Sequence, residues 1–308
     1  MAKKPSRIST IVRNTLPLLL LRLEFLLGGR IVPEAMARKA AVLFTTPFKS
    51  SRTRALAAPT LGARETQLDI DGDWIHVYTW GDPARQPYVL FAHGWSSHGT
   101  RITPWVAPLQ DAGYAVVAFD QAAHGRSSGK HTTLPDFTCH LLAVAHHFGP
   151  AAAVVGHSLG GAATALALAR GLVAERAVLI APAADPLAAV ERFSRFVWLA
   201  GHLGRRMFAL FEQALRVDAG ELQAHTNAPR IGRPALIVHD LEDREVPWSE
   251  GERYARFWQD SRLLSTQGLG HNRIADDQDV IAAALRFLRG ETVGERVVSS
   301  PNLPYGFA

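Results

Sequence analysis

Ten residues, Ala153-Val154-Val155-Gly156-His157-Ser158-Leu159-Gly160-Gly161-Ala162, constrain this chain more than any others. A short run of alanine and valine ends in Gly-His-Ser-Leu-Gly, and small residues then continue at helix-compatible spacing. The pattern predicts a strand, a sharp turn and a helix with Ser158 at the apex, in the form G-x-S-x-G. Such a turn strains the serine backbone and projects Oγ above the strand end. Gly156 and Gly160 lack a Cβ where the two arms of the turn nearly touch. Gly161, Ala162 and Ala163 let the helix lie close to a sheet. The competing reading is a glycine-rich turn with an inert serine, and the pentapeptide alone does not separate the two.

The flanking sequence supplies the sheet. Thr66–Ile70 and Ile75–Tyr78 alternate around Asp71-Gly72, which reads as a hairpin with a tight turn. Pro87–Ala92, Tyr114–Phe119, Ala177–Ala181 and Ala235–His239 are continuous apolar runs, as strands buried on both faces require. Leu263–Thr266 is a shorter one. Helical spacing falls between them, at Pro104–Ala112, Leu134–Phe148 and from Asp276 or Asp277 to Gly290. Strands alternating with helices predict an α/β fold with a mostly parallel central sheet and helices on both faces. Ligands of such sheets bind at the carboxyl ends of the strands. Ser158, His93, Asp120 and the residues after His239 and Thr266 all fall there.

Residues 182–230 break this rhythm. Val190, Phe193, Val197, Leu203, Met207 and Phe208 predict helices with broad apolar faces. The segment is longer than a usual crossover and reads as a helical lid, with ordinary crossover helices as the alternative. The core then comprises residues 62–181 and 231–290, with a tail at 291–308. Residues 1–61 form an N-terminal helical arm and linker, the linker being the Ser- and Arg-rich stretch 49–63.

The arm opens with Lys3, Lys4, Arg7 and Arg13 before the apolar run Leu16–Leu27. Arg22 and Glu24 interrupt that run, and Ala35-Met36-Ala37 lies too far downstream for signal cleavage. The run is also shorter than the ~20 residues of a membrane span. The chain is therefore expected in the cytoplasm. The arm's apolar faces must still be buried, against the protein's own body, a dimer partner or a membrane surface. A peripheral membrane contact through residues 1–45 would use the flanking cations. The formal charge of +5 is mild and no basic stripe is interleaved with aromatics, so no nucleic-acid partner is expected. The single cysteine, Cys139, excludes an intramolecular disulfide and is expected to fill space in a helix.

A serine nucleophile needs a base within hydrogen-bond reach and a carboxylate to hold that base. Gly268-Leu269-Gly270-His271 follows the last strand and presents His271. Asp240, Glu242 and Asp243 follow the preceding strand. The order Ser158, Asp243, His271 is the Ser…Asp…His order of hydrolases. Together, His93-Gly94-Trp95, Asp120…His124-Gly125-Arg126-Ser127, Gly156–Gly160, Asp243…Val246-Pro247 and Gly270-His271 resemble the α/β-hydrolase superfamily, in its lidded serine esterase and lipase-like branch. The resemblance covers roughly residues 65–290 and implies a carboxylic ester hydrolase acting through an acyl-enzyme. It selects Asp243 as the acid, with Asp240 and then Glu242 as competitors. It implies an oxyanion hole formed by the backbone N–H groups of Trp95 and Leu159. The substrate is expected to be a small molecule with a hydrophobic acyl group; a thioester, lactone, amide or C–C bond could be cleaved by the same residues. No cofactor or metal is expected, because His98, His124 and His239 match no ligand spacing.

Overall fold

The computed structural model describes residues 7–297, with side chains from residue 16 onward. Residues 1–6 and 298–308, the start of the arm and most of the expected tail, lie outside the described residues. The strands are β1 (Arg64–Ile70), β2 (Asp73–Trp80), β3 (Tyr88–Ala92), β4 (Ala115–Phe119), β5 (Ala151–His157), β6 (Ala174–Ile180), β7 (Ala235–Asp240) and β8 (Ser261–Thr266). The helices are α1 (Arg7–Ile31), α2 (Pro33–Phe44), α3 (Lys49–Ala57), α4 (Thr103–Asp111), α5 (Leu134–Phe148), α6 (Leu159–Ala169), α7 (Pro186–Val197), α8 (Gly201–Leu215), α9 (Ala224–Asn227), α10 (Trp248–Phe257), α11 (Gly270–Arg273) and α12 (Gln278–Leu288). The chain divides into two compact units, Thr46–Asp185 with Gly220–Ala308, and Met1–Thr45 with Pro186–Ala219.

The larger unit holds one sheet of order β1-β2-β4-β3-β5-β6-β7-β8. The β1–β2 and β2–β4 pairs are antiparallel; every other pair is parallel. The β1–β2 turn places both Asp71 (φ 53°) and Gly72 (φ 88°) in the left-handed region, the geometry that Asp-Gly tolerates best. Alternate residues of the central strands feed two cores. Tyr88, Leu90, Val117 and Val154 pack on one face with Phe137 and Leu141 of α5 and Tyr254 of α10. Val89, Phe91, Val116 and Val155 pack on the other with Trp105 of α4 and Ile281 and Phe287 of α12. The continuous apolar runs of the sequence thus follow from burial on both faces.

The smaller unit buries Phe25 of α1, Met36 and Ala40 of α2, Val190 and Val197 of α7, and Met207 and Phe208 of α8. Phe44 packs edge-on against Phe193, with ring centroids 5.2 Å apart. Glu34 of α2 accepts from Arg206 of α8 at 2.9 Å. Two sequence segments more than 140 residues apart thereby share one apolar core.

Three expectations differ from the structure. The stretch read as a linker contains α3, because Arg52 ties it down: its guanidinium donates to the carbonyls of Gly125, at 2.9 Å, and Ser127. Cys139 sits on α5 but is exposed, so it fills no core space. The first residues of the tail are held: Glu295 exchanges two 2.8 Å backbone hydrogen bonds with Leu263 of β8, and Val293 is buried.

A close approach of backbone to backbone lies at the start of α6. A Cβ on Gly160 would collide with the carbonyl oxygens of Ala92 and His93 at the end of β3. A Cβ on Gly232 would meet nothing within 4 Å. Gly160→Ala is therefore expected to cost about 3 kcal/mol or more in urea denaturation, and Gly232→Ala to stay within about 0.5 kcal/mol of wild type. Equal midpoints for the two variants would show that α6 can move off β3 freely.

Candidate active site

Ser158 stands between β5 and α6 with φ 55° and ψ −119°. A non-glycine residue there is strained by about 1–3 kcal/mol, and the surroundings hold it in place. Its N–H donates to the Ile180 carbonyl at 2.9 Å, and its carbonyl accepts from Gly161 and Ala162 in the first turn of α6. The consequence is a serine hydroxyl lifted off the strand end toward the loop after β8.

His271 occupies that loop, on α11. Its Nδ1 lies 2.7 Å from Asp243 Oδ2 and its Nε2 lies 2.9 Å from Ser158 Oγ. Facing a carboxylate, Nδ1 carries the proton, so Nε2 accepts from the serine hydroxyl. His157 Nε2 donates to the His271 carbonyl at 2.9 Å. Arg101 donates to the neighbouring Asn272 carbonyl at 2.9 Å and pairs with Asp276 at 2.7 Å. His271 is thus fixed through its backbone as well as its ring.

Asp240, the last residue of β7, and Asp243, three residues on, are both buried and differ in what surrounds them. Asp243 Oδ1 accepts the N–H groups of Glu245 and Val246 at 2.8 and 2.9 Å. Its Oδ2 faces His271 and, at 3.4 Å, His239 Nε2. Burial alone would raise this carboxyl, but hydrogen bonds from His239, His271 and Val246 hold it well below the usual range. Asp240 is spent on the frame. It accepts from Thr266 Oγ1 at 2.7 Å, Leu269 N–H at 3.0 Å and Glu242 N–H at 3.0 Å. It thereby joins the end of β7 to the loop that carries His271. Glu242 is exposed and accepts from Gln267 at 3.3 Å.

Trp95 and Leu159 approach the serine from the loop after β3 and from the start of α6. Leu159 is the first residue of α6, where helical N–H groups have no intrahelical acceptor. The Trp95 N–H meets no acceptor among the described residues. Its loop runs against the serine, since a Cβ on Gly94 would come 2.9 Å from Ser158 Cβ. Two buried histidines fix this loop. His93 Nδ1 donates to the Gly94 carbonyl at 2.7 Å while its Nε2 accepts from Gln121 N–H at 3.0 Å. His124 Nδ1 donates to the Ala122 carbonyl at 3.0 Å while its Nε2 accepts from Ser96 N–H at 2.9 Å. Asp120 completes the frame by accepting from Gly99 N–H, Arg126 N–H and the Tyr78 hydroxyl at 2.7, 2.8 and 2.9 Å. The parts played by His124 and His239 were missed in the sequence. The only signal was their position, His239 within the β7 strand end and His124 in the loop after β4.

A mostly parallel sheet with a strained serine after its central strand, and a histidine and an aspartate after its last two, defines an enzyme of the α/β-hydrolase type. The chain belongs to the alpha/beta hydrolase family, whose model matches residues 89–284. It is 37% identical over 116 residues to a non-heme haloperoxidase of Rhodococcus erythropolis, a match spanning 36% of this chain and 41% of that protein. It is 24% identical to a non-heme chloroperoxidase of Streptomyces lividans, over 68% of this chain and 94% of the relative. Among solved structures, a membrane phospholipase A described as a bacterial virulence factor superposes with a TM-score of 0.60 at 20% identity, covering 90% of this chain and 98% of the other.

Burial pushes His93, His124 and His157 down to about 3. In the unfolded chain they titrate near the ordinary imidazole value of ~6.5. Between those values the unfolded state binds more protons, so stability is full above ~6.5 and is lost as pH falls toward 3. Each histidine contributes a slope of up to about 1.4 kcal/mol per pH unit. A melting temperature that falls steadily from pH 7 to pH 4 is the expected result, and one that stays level over that range would contradict neutral burial of these rings.

Proposed function

We propose that the protein is a serine hydrolase that cleaves carboxylic esters with a hydrophobic acyl group through an acyl-enzyme on Ser158. The observation that carries this reading is the unbroken hydrogen-bonded chain from Ser158 Oγ through His271 to Asp243. As Oγ attacks the acyl carbon, its proton passes to His271 Nε2. The oxyanion is held by the N–H groups of Trp95 and Leu159. Collapse breaks the bond to the alcohol, which leaves with the proton from Nε2. Water then gives a proton to Nε2 and its hydroxide attacks the acyl carbon. Oγ departs and takes that proton back. Asp243 stays ionised throughout and stabilises the imidazolium.

The reading of the substrate rests on apolar chemistry. The 182–230 segment is inserted in the chain between β6, which pairs with the serine strand, and β7, the next strand beyond it. Its place in the chain and its apolar helices support a lid that selects a hydrophobic acyl group. The name of the phospholipase A neighbour agrees with a lipid ester. The names of the two sequence relatives favour a second reading, halide oxidation with peroxide.

A panel of aryl esters of increasing chain length, with thioester and amide analogues, tests the reading, beside an arm supplied with peroxide and halide. Longer acyl esters should be hydrolysed best, and Ser158→Ala should lower kcat by at least about a thousandfold and abolish fluorophosphonate labelling. Halogenation without hydrolysis would overturn it.

The choice of acid has its own test. Asp243→Asn is expected to lower kcat by about ten thousandfold, the scale seen when a triad aspartate loses its charge. Asp240→Asn should instead lower the melting temperature while the folded fraction keeps turning over. A reversed ranking of kcat would make Asp240 the acid. The rate should also fall on the acid side as His271 Nε2 takes up a proton; a rate that does not fall there would exclude it as the base.

A further inference from the structure

The smaller unit carries more apolar surface than its own core consumes. α1 turns Phe25 inward, where it is 1% exposed, and half-buries Leu21. On the opposite side Leu16, Leu20, Leu23, Leu27 and Ile31 follow one another at three- and four-residue spacing along the helix and all face solvent. Leu20 is 58% exposed, Leu27 59% and Ile31 79%. The stripe is about 22 Å long at the rise of an α-helix. Contiguous apolar surface of this kind marks an interaction site rather than ordinary scatter.

Charge decides what covers it. The chain before the stripe holds Lys3, Lys4, Arg7 and Arg13 and no acidic residue; the first, Glu24, is paired with Lys39. Exposed aromatics extend the surface from α7. Arg22 donates to the Phe196 carbonyl at 2.8 Å and stacks its guanidinium 5.3 Å from the Phe196 ring and 5.2 Å from the Trp198 ring. Trp198 is held at φ 59° just beyond α7 and is 42% exposed. A leucine stripe, a cationic lead-in and a tryptophan beside an arginine match the requirements of a helix lying in a lipid headgroup layer. A second copy of the chain would bring the same positive charge, whereas an anionic bilayer brings the opposite one. No helix among the described residues is long and apolar enough to cross a membrane, so the helix would lie along the surface.

We propose that the unit formed by the arm and residues 186–219 docks on anionic lipid membranes through the outward stripe of α1, with Phe196 and Trp198 at its margin. The proposal is independent of the reaction at Ser158. Flotation of the full-length chain with vesicles, in a Ser158→Ala background so that no lipid is hydrolysed, tests it. The protein should float with phosphatidylcholine vesicles containing phosphatidylglycerol. It should float at least about tenfold less with phosphatidylcholine alone or in high salt. Leu20→Glu with Leu27→Glu should lose flotation altogether while keeping the wild-type circular dichroism spectrum. Leu20→Ala with Leu27→Ala, which adds no charge, should weaken it by about tenfold or more and serves if the glutamates disturb folding. Failure of the parent protein to float with anionic vesicles would overturn the proposal, as would flotation of both double variants at the parent's level. So would light scattering that shows a dimer dissolved by these substitutions in a protein that binds no vesicles.

Discussion

The site depends on how closely α6 approaches β3. With Gly160 against the Ala92 and His93 carbonyls, the helix starts without the spacing that a Cβ would impose, and the chain has to reverse within one residue. That residue is Ser158. Its strained backbone persists because Ile180, Gly161 and Ala162 each bond to it, so relaxing the strain would break several hydrogen bonds at once. The same approach brings the His93–Trp95 loop alongside the serine. One packing constraint therefore sets the position of the hydroxyl and of the Trp95 and Leu159 backbone N–H groups, which we propose hold the oxyanion.

The electrostatics follow a second rule, which is that buried imidazoles around the site remain neutral. His93 and His124 each accept a backbone N–H at Nε2, and a proton there would set donor against donor. The ring of His157 lies 5.0 Å from that of His271, and a charge on it would oppose an imidazolium beside it. Burial removes that charge. Asp243 receives the opposite treatment: two backbone N–H groups and two histidines keep it ionised. In the mechanism proposed above, this field would favour the positive charge that His271 acquires when the serine proton arrives.

Much of this was legible in the sequence, and the boundary of legibility is physical. Ser158, His271 and the Asp240–Asp243 pair each follow an apolar run, and a parallel sheet puts such positions on one edge. The two aspartates are three residues apart on one loop, and spacing cannot rank them. What ranks them geometrically is which one Thr266 and Leu269 occupy, and those contacts cross from β7 to the loop after β8. His124 was opaque for a similar reason, since its partner Ser96 is 28 residues away. α3 looked like linker because Ser and Arg dominate it. Its order comes from Arg52 reaching carbonyls more than 70 residues downstream.

The arm shows where pattern reading fails for a different reason. α1 is apolar on both sides, and periodicity cannot say which side a protein core takes. The structure gives Phe25 to a core shared with Val190, Val197, Met207 and Phe208, leaving the leucine stripe outward. The arm and the 186–219 segment are therefore one folding problem. Removing residues 1–45 would strip Phe25, Met36 and Ala40 from that core, so a truncated chain would lose the packing of 186–219 together with any surface contact. A substitution confined to the outward stripe changes the surface and leaves the core intact, and only that separation lets a role in membrane docking be distinguished from a role in holding the inserted helices.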